Sequence, residues 1–124
     1  MTFRILLGAL LAAAPLASAA AMPVATFLAK ADKLQKKGPL AMFSGDVKLL
    51  MNQVKADAAQ LRAANKAAAA AGRPQAYCSP AAGVKMTNRE ILGAMQAVPP
   101  AQRSTTSTKD AFRTYFARRF PCGA

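Results

Sequence analysis

Two cysteines, Cys78 and Cys122, restrict this chain of 124 residues more than any other feature. They stand 44 positions apart, and a bond between them would tie the end of the chain to its middle. The chain-entropy model gives such a loop about 4 kcal/mol of stabilisation. In an oxidising compartment two lone cysteines most often pair with each other, whereas a bond between two chains or a pair of free thiols are the alternatives. The compartment is therefore the first question.

The first residues have the pattern of a secretory signal peptide. Arg4 precedes an apolar run from Ile5 to Ala14, and Ala17-Ser18-Ala19 has the small-x-small order that signal peptidase recognises. The run is shorter than the roughly 20 residues of a membrane-spanning helix, although an uncleaved anchor is the alternative. The sequence thus predicts a signal peptide over residues 1–19, with cleavage possible as late as residue 21. A single periplasmic domain over residues 20–124 would remain.

Four segments have helical spacing, and no strand pattern of any length is present. The first covers residues 24–37 and ends at Gly38-Pro39, and the second covers about residues 46–71, with Ser44 or Asp46 as its cap. The third begins at Thr87, where Thr87 and Glu90 form a capping box, and ends at Pro99-Pro100. The fourth is capped by Ser107 or Thr108 and ends before Pro121. The predicted fold class is all-α, a small four-helix domain stapled by one disulfide.

Each predicted helix has one apolar side, which indicates a shared core. The second helix ends in the run Ala67 to Ala71, narrow enough to lie close to a neighbour. The expected apolar positions, helix by helix, are Val24, Phe27, Leu28, Ala31 and Leu34; Val47, Leu50, Met51, Val54, Ala58 and Leu61; Ile91, Leu92, Met95 and Val98; and Phe112, Tyr115, Phe116 and Phe120.

The net charge favours an anionic partner. The formal charge is +12, and Arg4 accounts for one of these charges, so the predicted mature chain carries +11. Such a charge suits an acidic protein, a lipid surface or an acidic wall polymer, although it also simply keeps a small exported protein soluble. Nucleic acid is the weaker reading, because export separates the protein from it. In addition, Phe112, Phe116 and Phe120 look like core residues rather than a stacking platform.

Catalysis has few candidate groups in this sequence. There is no histidine, and the five acids show no close carboxylate pair. Two cysteines alone do not make a zinc site, and no glycine-rich phosphate loop is present. We therefore expect no enzymatic activity, no metal site and no cofactor, and binding is the better hypothesis.

Two features could support binding. Lys48, Lys55 and Arg62 recur every seven residues on the second helix, and Lys66 follows four further on, so all four form a basic ridge beside the apolar stripe. The alternative is a solvated face whose lysine stems cover the edge of the seam. Arg119 falls on the aromatic side of the fourth helix, where an arginine either snorkels, meets the last helix carbonyls or contacts a partner.

The C-terminal part resembles a known family. Cys78-x-Pro80 is followed by Gly83-Val84, a capped helix, Pro99 or Pro100, and a terminal Arg119-Phe120-Pro121-Cys122. This arrangement, over residues 77–122, resembles the Rap/Tai immunity proteins of type VI secretion (resistance-associated proteins and type VI amidase immunity proteins).

The resemblance implies a small, all-helical periplasmic protein, often a homodimer. Such a protein would bind and block a cell-wall amidase that sibling cells deliver as an effector. It also implies that Cys78 and Cys122 are the structural disulfide of the family. A basic envelope protein that uses the same ridge to bind anionic lipid or wall polymer, with no toxin partner, is the competing hypothesis.

Overall fold

Four α-helices make up the part of the chain that the structure describes. The computed structural model describes residues 21–123, so the predicted signal peptide, residues 1–19, lies outside the described residues. The helices are α1 (Val24–Lys37), α2 (Gly45–Ala70), α3 (Asn88–Gln96) and α4 (Thr108–Arg119). The only strand-like feature within residues 21–123 is an isolated bridge between Pro23 and Ser107. The all-α prediction is therefore confirmed.

Side-chain caps fix the starts of three helices. Ser44 caps α2 by accepting a hydrogen bond from the backbone N–H of Asp46, and Ser107 caps α4 in the same way. At α3 the Thr87 hydroxyl accepts from the N–H of Glu90, and the Glu90 carboxylate accepts from the N–H of Thr87 at 2.7 Å. The capping box at Thr87 is confirmed, because each partner satisfies a backbone donor that the helix itself leaves free.

Two helix ends differ from the simple stops that the prolines predict. Beyond α1 the chain continues as a 3-10 helix over Gly38–Phe43, and beyond α3, which ends at Gln96, a short 3-10 helix covers Pro100–Gln102. Proline fits the first turn of either helix type, because the amide that it lacks would be unsatisfied there anyway. Each proline thus starts a tighter helical turn as well as ending the helix before it.

The core forms where α4 meets the other three helices. Phe112 is 1% exposed, and Met95 and Val24 are fully buried. Phe116 lies at the centre of an aromatic cluster, with its ring centroid 5.0 Å from that of Tyr77 and 5.9 Å from that of Phe112. Such tilted and offset pairs add to the free energy gained by burying apolar area.

The beginning of the described chain is fastened to the beginning of α4. The N–H of Val24 donates to the carbonyl of Thr106 at 2.9 Å, and the N–H of Thr108 donates to the carbonyl of Met22 at 2.9 Å. These bonds place the first turn of α1 against the start of α4, so that helices distant in sequence share one core.

Cys78 and Cys122 are bonded to each other within the chain. Their Cα atoms lie 5.0 Å apart, inside the usual range for a disulfide, and both residues lie outside the helices. The N–H of Cys78 also donates to the carbonyl of Phe120 at 2.8 Å. The predicted intrachain pairing is confirmed. None of the helices in residues 21–123 combines the length and apolarity that a membrane crossing requires.

The alanine tail of α2 is not packed as expected. The helix runs to Ala70, but Ala67, Ala69 and Ala70 are exposed and only Ala68 is partly covered. The run is confirmed as the tail of the helix, but the loop that follows α2 contacts the helix earlier, at Asn65.

Candidate functional site

All four basic residues of the predicted ridge are exposed along α2. Lys48, Lys55, Arg62 and Lys66 form no ion pair with any acid in residues 21–123. Lys55 and Arg62 line a cleft, whereas Lys48 and Lys66 lie before and after this stretch on the same helix. The ridge therefore consists of a central pair beside the cleft and one further cation toward each end of α2.

The cleft lies between α2 and the loop that precedes α3. Its volume is about 340 Å³, and its lining is mostly apolar apart from Lys55 and Arg62. The α2 side is formed by Met51, Val54, Lys55, Ala58 and Arg62, and the other side by Tyr77, Ser79, Pro80, Ala81, Gly83, Val84, Met86, Ile91 and Phe116. A partner segment in this cleft would meet apolar surface at its base and positive charge at its edge.

Hydrogen bonds from one asparagine hold the loop wall in place. The Asn65 side chain donates to the carbonyl of Tyr77 at 2.6 Å and accepts from the N–H of Ala76 at 3.0 Å. The Cys78–Cys122 disulfide holds the next residue to the end of α4. Gly83, with a φ of +84°, closes a turn in which its N–H donates to the carbonyl of Pro80. The wall is thus fixed from α2 and from the chain end.

A second groove continues the apolar surface toward α1. It has a volume of about 250 Å³ and shares Met51, Val54 and Ile91 with the cleft. Met51 is 39% exposed although it belongs to the predicted apolar stripe of α2. Part of that stripe therefore faces open grooves instead of the core, which sequence periodicity alone does not distinguish.

Arg119 forms contacts inside the molecule. Its guanidinium donates to the Glu90 carboxylate at 2.6 Å and to the Tyr115 hydroxyl at 2.9 Å, and its Cζ lies 5.2 Å from the centroid of the Phe120 ring. The hydrogen bonds of Arg119 thus go to side chains and not to the last helix carbonyls. These contacts join the C-terminus of α4 to the N-terminus of α3. The side chain is still 39% exposed, so a partner could reach it. Partner binding by Arg119 stays a prediction.

The electrostatics of Glu90 follow from the same contacts. The hydrogen bond from the backbone N–H of Thr87 and the neighbouring Arg119 lower the pKa of Glu90, because both favour the charged carboxylate. The hydrogen bonds from Arg119 to Tyr115 and Glu90 raise the pKa of the guanidinium in turn. Both groups are therefore fully charged at neutral pH.

Asp57 is a buried acid on α2 for which no role was predicted. It is 3% exposed, and its carboxylate accepts from the Thr108 hydroxyl at 2.6 Å and from the Gln53 amide at 2.9 Å. Burial raises the pKa of Asp57, and these two hydrogen bonds oppose the rise. The missed signal is its position seven residues after Leu50 and four before Leu61, on the buried side of α2.

The five acids are all engaged within the molecule. Asp57 is buried, and the other four form ion pairs: Asp32 with Lys36, Asp46 with Lys30, Glu90 with Arg119 and Asp110 with Arg113. No group of three or more metal-ligating side chains in residues 21–123 could hold a metal ion. The unpaired charge within residues 21–123 is therefore positive, and two of these cations, Lys55 and Arg62, line the cleft.

Comparison with protein-family models, with curated proteins and with solved structures gave no match for this chain.

Proposed function

We propose that this chain is an exported helical binding protein that inhibits a cell-wall hydrolase of the amidase type by forming a stoichiometric complex. The resemblance of residues 77–122 to the Rap/Tai immunity proteins suggests this role, and the cleft beside α2 supplies the binding surface. The partner presents an acidic segment with apolar side chains, which would lie along Lys55 and Arg62.

One observation supports the proposal above all others. Part of the family-like motif, namely Pro80, Gly83 and Val84, lines the same cleft as Lys55 and Arg62, the central pair of the ridge. These two features were recognised from separate parts of the sequence. The cleft therefore places part of the motif and part of the ridge within reach of one bound segment.

The charge pattern supports an acidic partner. Of the 17 Lys and Arg residues, all but Arg4 lie within residues 21–123, and only four of these form ion pairs there. A pair between Arg62 and a partner carboxylate would lie partly buried at the cleft edge, where a charge-assisted hydrogen bond is stronger than on an open surface. The apolar lining would contribute the remaining affinity by burying Met51 and Val84.

Affinity purification from the periplasm at moderate salt tests the proposal. We expect one exported hydrolase to be recovered in a one-to-one or two-to-two ratio, and the protein to spare cells from that hydrolase. A hydrolase encoded beside this gene would be the first partner to examine. Recovery of anionic lipid or wall polymer without any hydrolase, released steeply by salt, would favour the competing envelope-binding function instead.

Charge reversal locates the site. Lys55→Glu together with Arg62→Glu should weaken the hydrolase complex by at least about 100-fold, because two attractive pairs become repulsive. Lys33→Glu together with Arg118→Glu changes the net charge equally at exposed positions outside the cleft and should weaken it far less. Equal loss in the two variants would mean that net charge alone attracts the partner, and an unchanged complex in the first would remove the cleft from the interface.

A further inference from the structure

The 3-10 helix between α1 and α2 presents three large apolar side chains to solvent. Leu40 is 71% exposed, Met42 83% and Phe43 89%. The next most exposed large apolar residue, Leu49, reaches 44%. We refer to Leu40, Met42 and Phe43 as the apolar tip. Isolated exposed apolar residues are ordinary. Three within four positions form a contiguous apolar patch, which is typical of an interaction site.

The backbone explains why the tip projects. Gly38 has a φ of +58°, a conformation that suits glycine, and it turns the chain out of α1. The following residues take three residues per turn, so Leu40 and Phe43, three positions apart, lie on the same side of the turn. Ser44 ends the turn by donating its N–H to the carbonyl of Ala41 and then caps α2. The tip is therefore a short 3-10 helix, bounded by the turn at Gly38 and by the Ser44 cap of α2.

The surroundings of the tip are basic. Residues 30–48 contain five lysines and two aspartates, a local charge of +3. Both aspartates are engaged, Asp32 with Lys36 and Asp46 with Lys30. Lys37 and Lys48, which flank the tip in the chain, are exposed and form no ion pair within residues 21–123. An apolar protrusion between unpaired lysines combines the two attractions that hold a protein at an anionic membrane surface.

We propose that the apolar tip inserts into the interfacial region of an anionic lipid bilayer, with Lys37 and Lys48 at the level of the phosphate groups. The side chains of Leu40, Met42 and Phe43 would leave water for the acyl boundary. Because the surface is a protrusion and not a cleft, it needs no complementary shape in its partner. This surface lies outside the cleft of the proposed function and shares only Lys48 with the ridge.

The size of the tip favours a bilayer over a second copy of the chain. A stable protein interface buries about 800 Å² on each partner. The exposed parts of Leu40, Met42 and Phe43 amount to roughly 500 Å², taking about 150–250 Å² for a large side chain. A bilayer accepts such a small apolar group, because its interior is fluid and the lysines add electrostatic attraction.

Docking at the tip would leave the cleft accessible. The helix α2 has 26 residues and is about 39 Å long at 1.5 Å per residue. The tip precedes its first turn, whereas Arg62 lies in its second half, near the contacts of Asn65 with the loop. A molecule held by its tip would therefore present the Arg62 end of the cleft away from the membrane.

A single introduced tryptophan reports insertion directly, since the sequence contains none. With the exported, disulfide-bonded protein, Phe43→Trp should shift its emission to shorter wavelength on vesicles with about one-third phosphatidylglycerol in phosphatidylcholine. Ala63→Trp, at an exposed position in the second half of α2, serves as the control and should show no shift. A shift at Ala63 without one at Phe43 would overturn the proposal.

Co-sedimentation with the same vesicles separates the two attractions. Replacing Leu40, Met42 and Phe43 together by Ser should reduce vesicle binding by about tenfold or more, and Leu49→Ser should leave it nearly unchanged. Lys37→Gln with Lys48→Gln should reduce binding to the phosphatidylglycerol vesicles at low salt more than Arg73→Gln with Lys85→Gln does. All of these side chains are exposed, so each variant should keep the helical circular dichroism of the parent protein.

Three further results would overturn the proposal. The first is no binding of the folded parent protein to the anionic vesicles, and the second is full binding by the triple serine variant. The third is a parent dimer in sedimentation velocity that the serine variant abolishes, since the occupant of the tip would then be a second copy. Loss of vesicle binding with an intact hydrolase complex would support the proposal and leave the proposed function untouched.

Discussion

Asp57 is an acidic residue in the core, with only 3% of its surface exposed. It lies on the core side of α2 and reaches the Thr108 hydroxyl, 51 positions further along the chain. The carboxylate thereby joins α2 to the first turn of α4. A buried acid of this kind is tolerated because both of its oxygens accept hydrogen bonds, one from Thr108 and one from Gln53.

The raised pKa of Asp57 predicts that the free energy of unfolding decreases as pH rises. Below its ordinary pKa of 3.8 the carboxyl is neutral in the folded and the unfolded chain. As pH rises through the higher pKa of the folded state, the Asp57 carboxyl loses its proton and becomes charged while it is buried. The free energy of unfolding therefore falls. Asp57→Asn keeps the hydrogen-bonding shape without the charge. The free energy of unfolding of this variant, relative to the parent, should therefore rise between about pH 3 and pH 7.

Urea unfolding at several pH values measures this difference. Asp32→Asn, at an exposed position on α1, is the matched control, because it removes the same charge from the surface. A parent protein that gains stability over the Asp57→Asn variant as pH rises would contradict the assignment. It would mean that the hydrogen bonds from Thr108 and Gln53 outweigh the burial of the carboxylate.

Arg119 shows how far a single residue can be read from its position. Its place on the aromatic side of α4 was evident from helical spacing, and its contacts with Tyr115 and Phe120 follow from that place. Its pairing with Glu90, 29 positions earlier, depends on how α3 docks against α4. Glu90 therefore has two tasks, since it completes the capping box of α3 and fixes the end of α4.

At the scale of elements, α3 depends on its cap more than the longer helices do. It has nine residues, a length at which an isolated helix is marginal. Thr87→Ala removes the hydroxyl that accepts from Glu90 and should lower the free energy of unfolding by about 1 kcal/mol. Thr114→Ala, at an exposed position within α4, is the control and should cause little change, because alanine favours a helix interior.

Chemical unfolding of the two threonine variants decides between capping and a general loss of polar surface. Equal destabilisation by Thr87→Ala and Thr114→Ala would show that the cap contributes nothing particular to α3. If only Thr87→Ala lowers the free energy of unfolding, the amides of α3 should also exchange faster in this variant, since the helix would open from its N-terminus.

Different faces of the helix α2 contribute to the core, to the two grooves and to the charged edge of the cleft. Leu50, Asp57 and Leu61 point into the core, Met51 and Val54 line the two grooves, and Lys55 and Arg62 stand at the cleft edge. One helix thus contributes to the core, to the floor of the cleft and to its charge. The spacing of residues on α2 predicted these stripes, but not that the apolar stripe would be split between core and groove.

The whole molecule is closed by the disulfide at the end that carries the cleft wall. Replacing both Cys78 and Cys122 by Ser should lower the free energy of unfolding by about 4 kcal/mol, because the unfolded chain regains the freedom of a loop of 44 positions. That is a large share of the stability of a domain of this size. The double replacement avoids a free thiol, which could link two molecules.

Urea unfolding of the serine variant and of the parent protein after reduction checks this value. The two should agree within about 1 kcal/mol, because both lack the same link and differ otherwise only by hydroxyl against thiol at two exposed positions. A variant as stable as the oxidised parent would mean that Asn65 and the backbone bond between Cys78 and Phe120 already hold the loop. The cleft would then form without the disulfide.

The sequence by itself determined the local structure of this protein and the pairing of its cysteines. The bounds of α1 and the capping box at Thr87 follow from interactions within four or five residues, which spacing and residue type reveal, and the same signals limited the cap of α2 to Ser44 or Asp46. The bond between Cys78 and Cys122 follows from their number and from the predicted export. Such features need no knowledge of how the helices are arranged.

The docking of the helices decided the rest. The contact of Asp57 with Thr108 and that of Arg119 with Glu90 each join residues far apart in the chain. The cleft exists only because the loop after α2 returns against that helix at Asn65. Side-chain patterns record which residues avoid water, whereas the packing of one helix on another determines which of them meet. For this reason the ridge was visible in the sequence, and the opposing wall that makes it a candidate site was not.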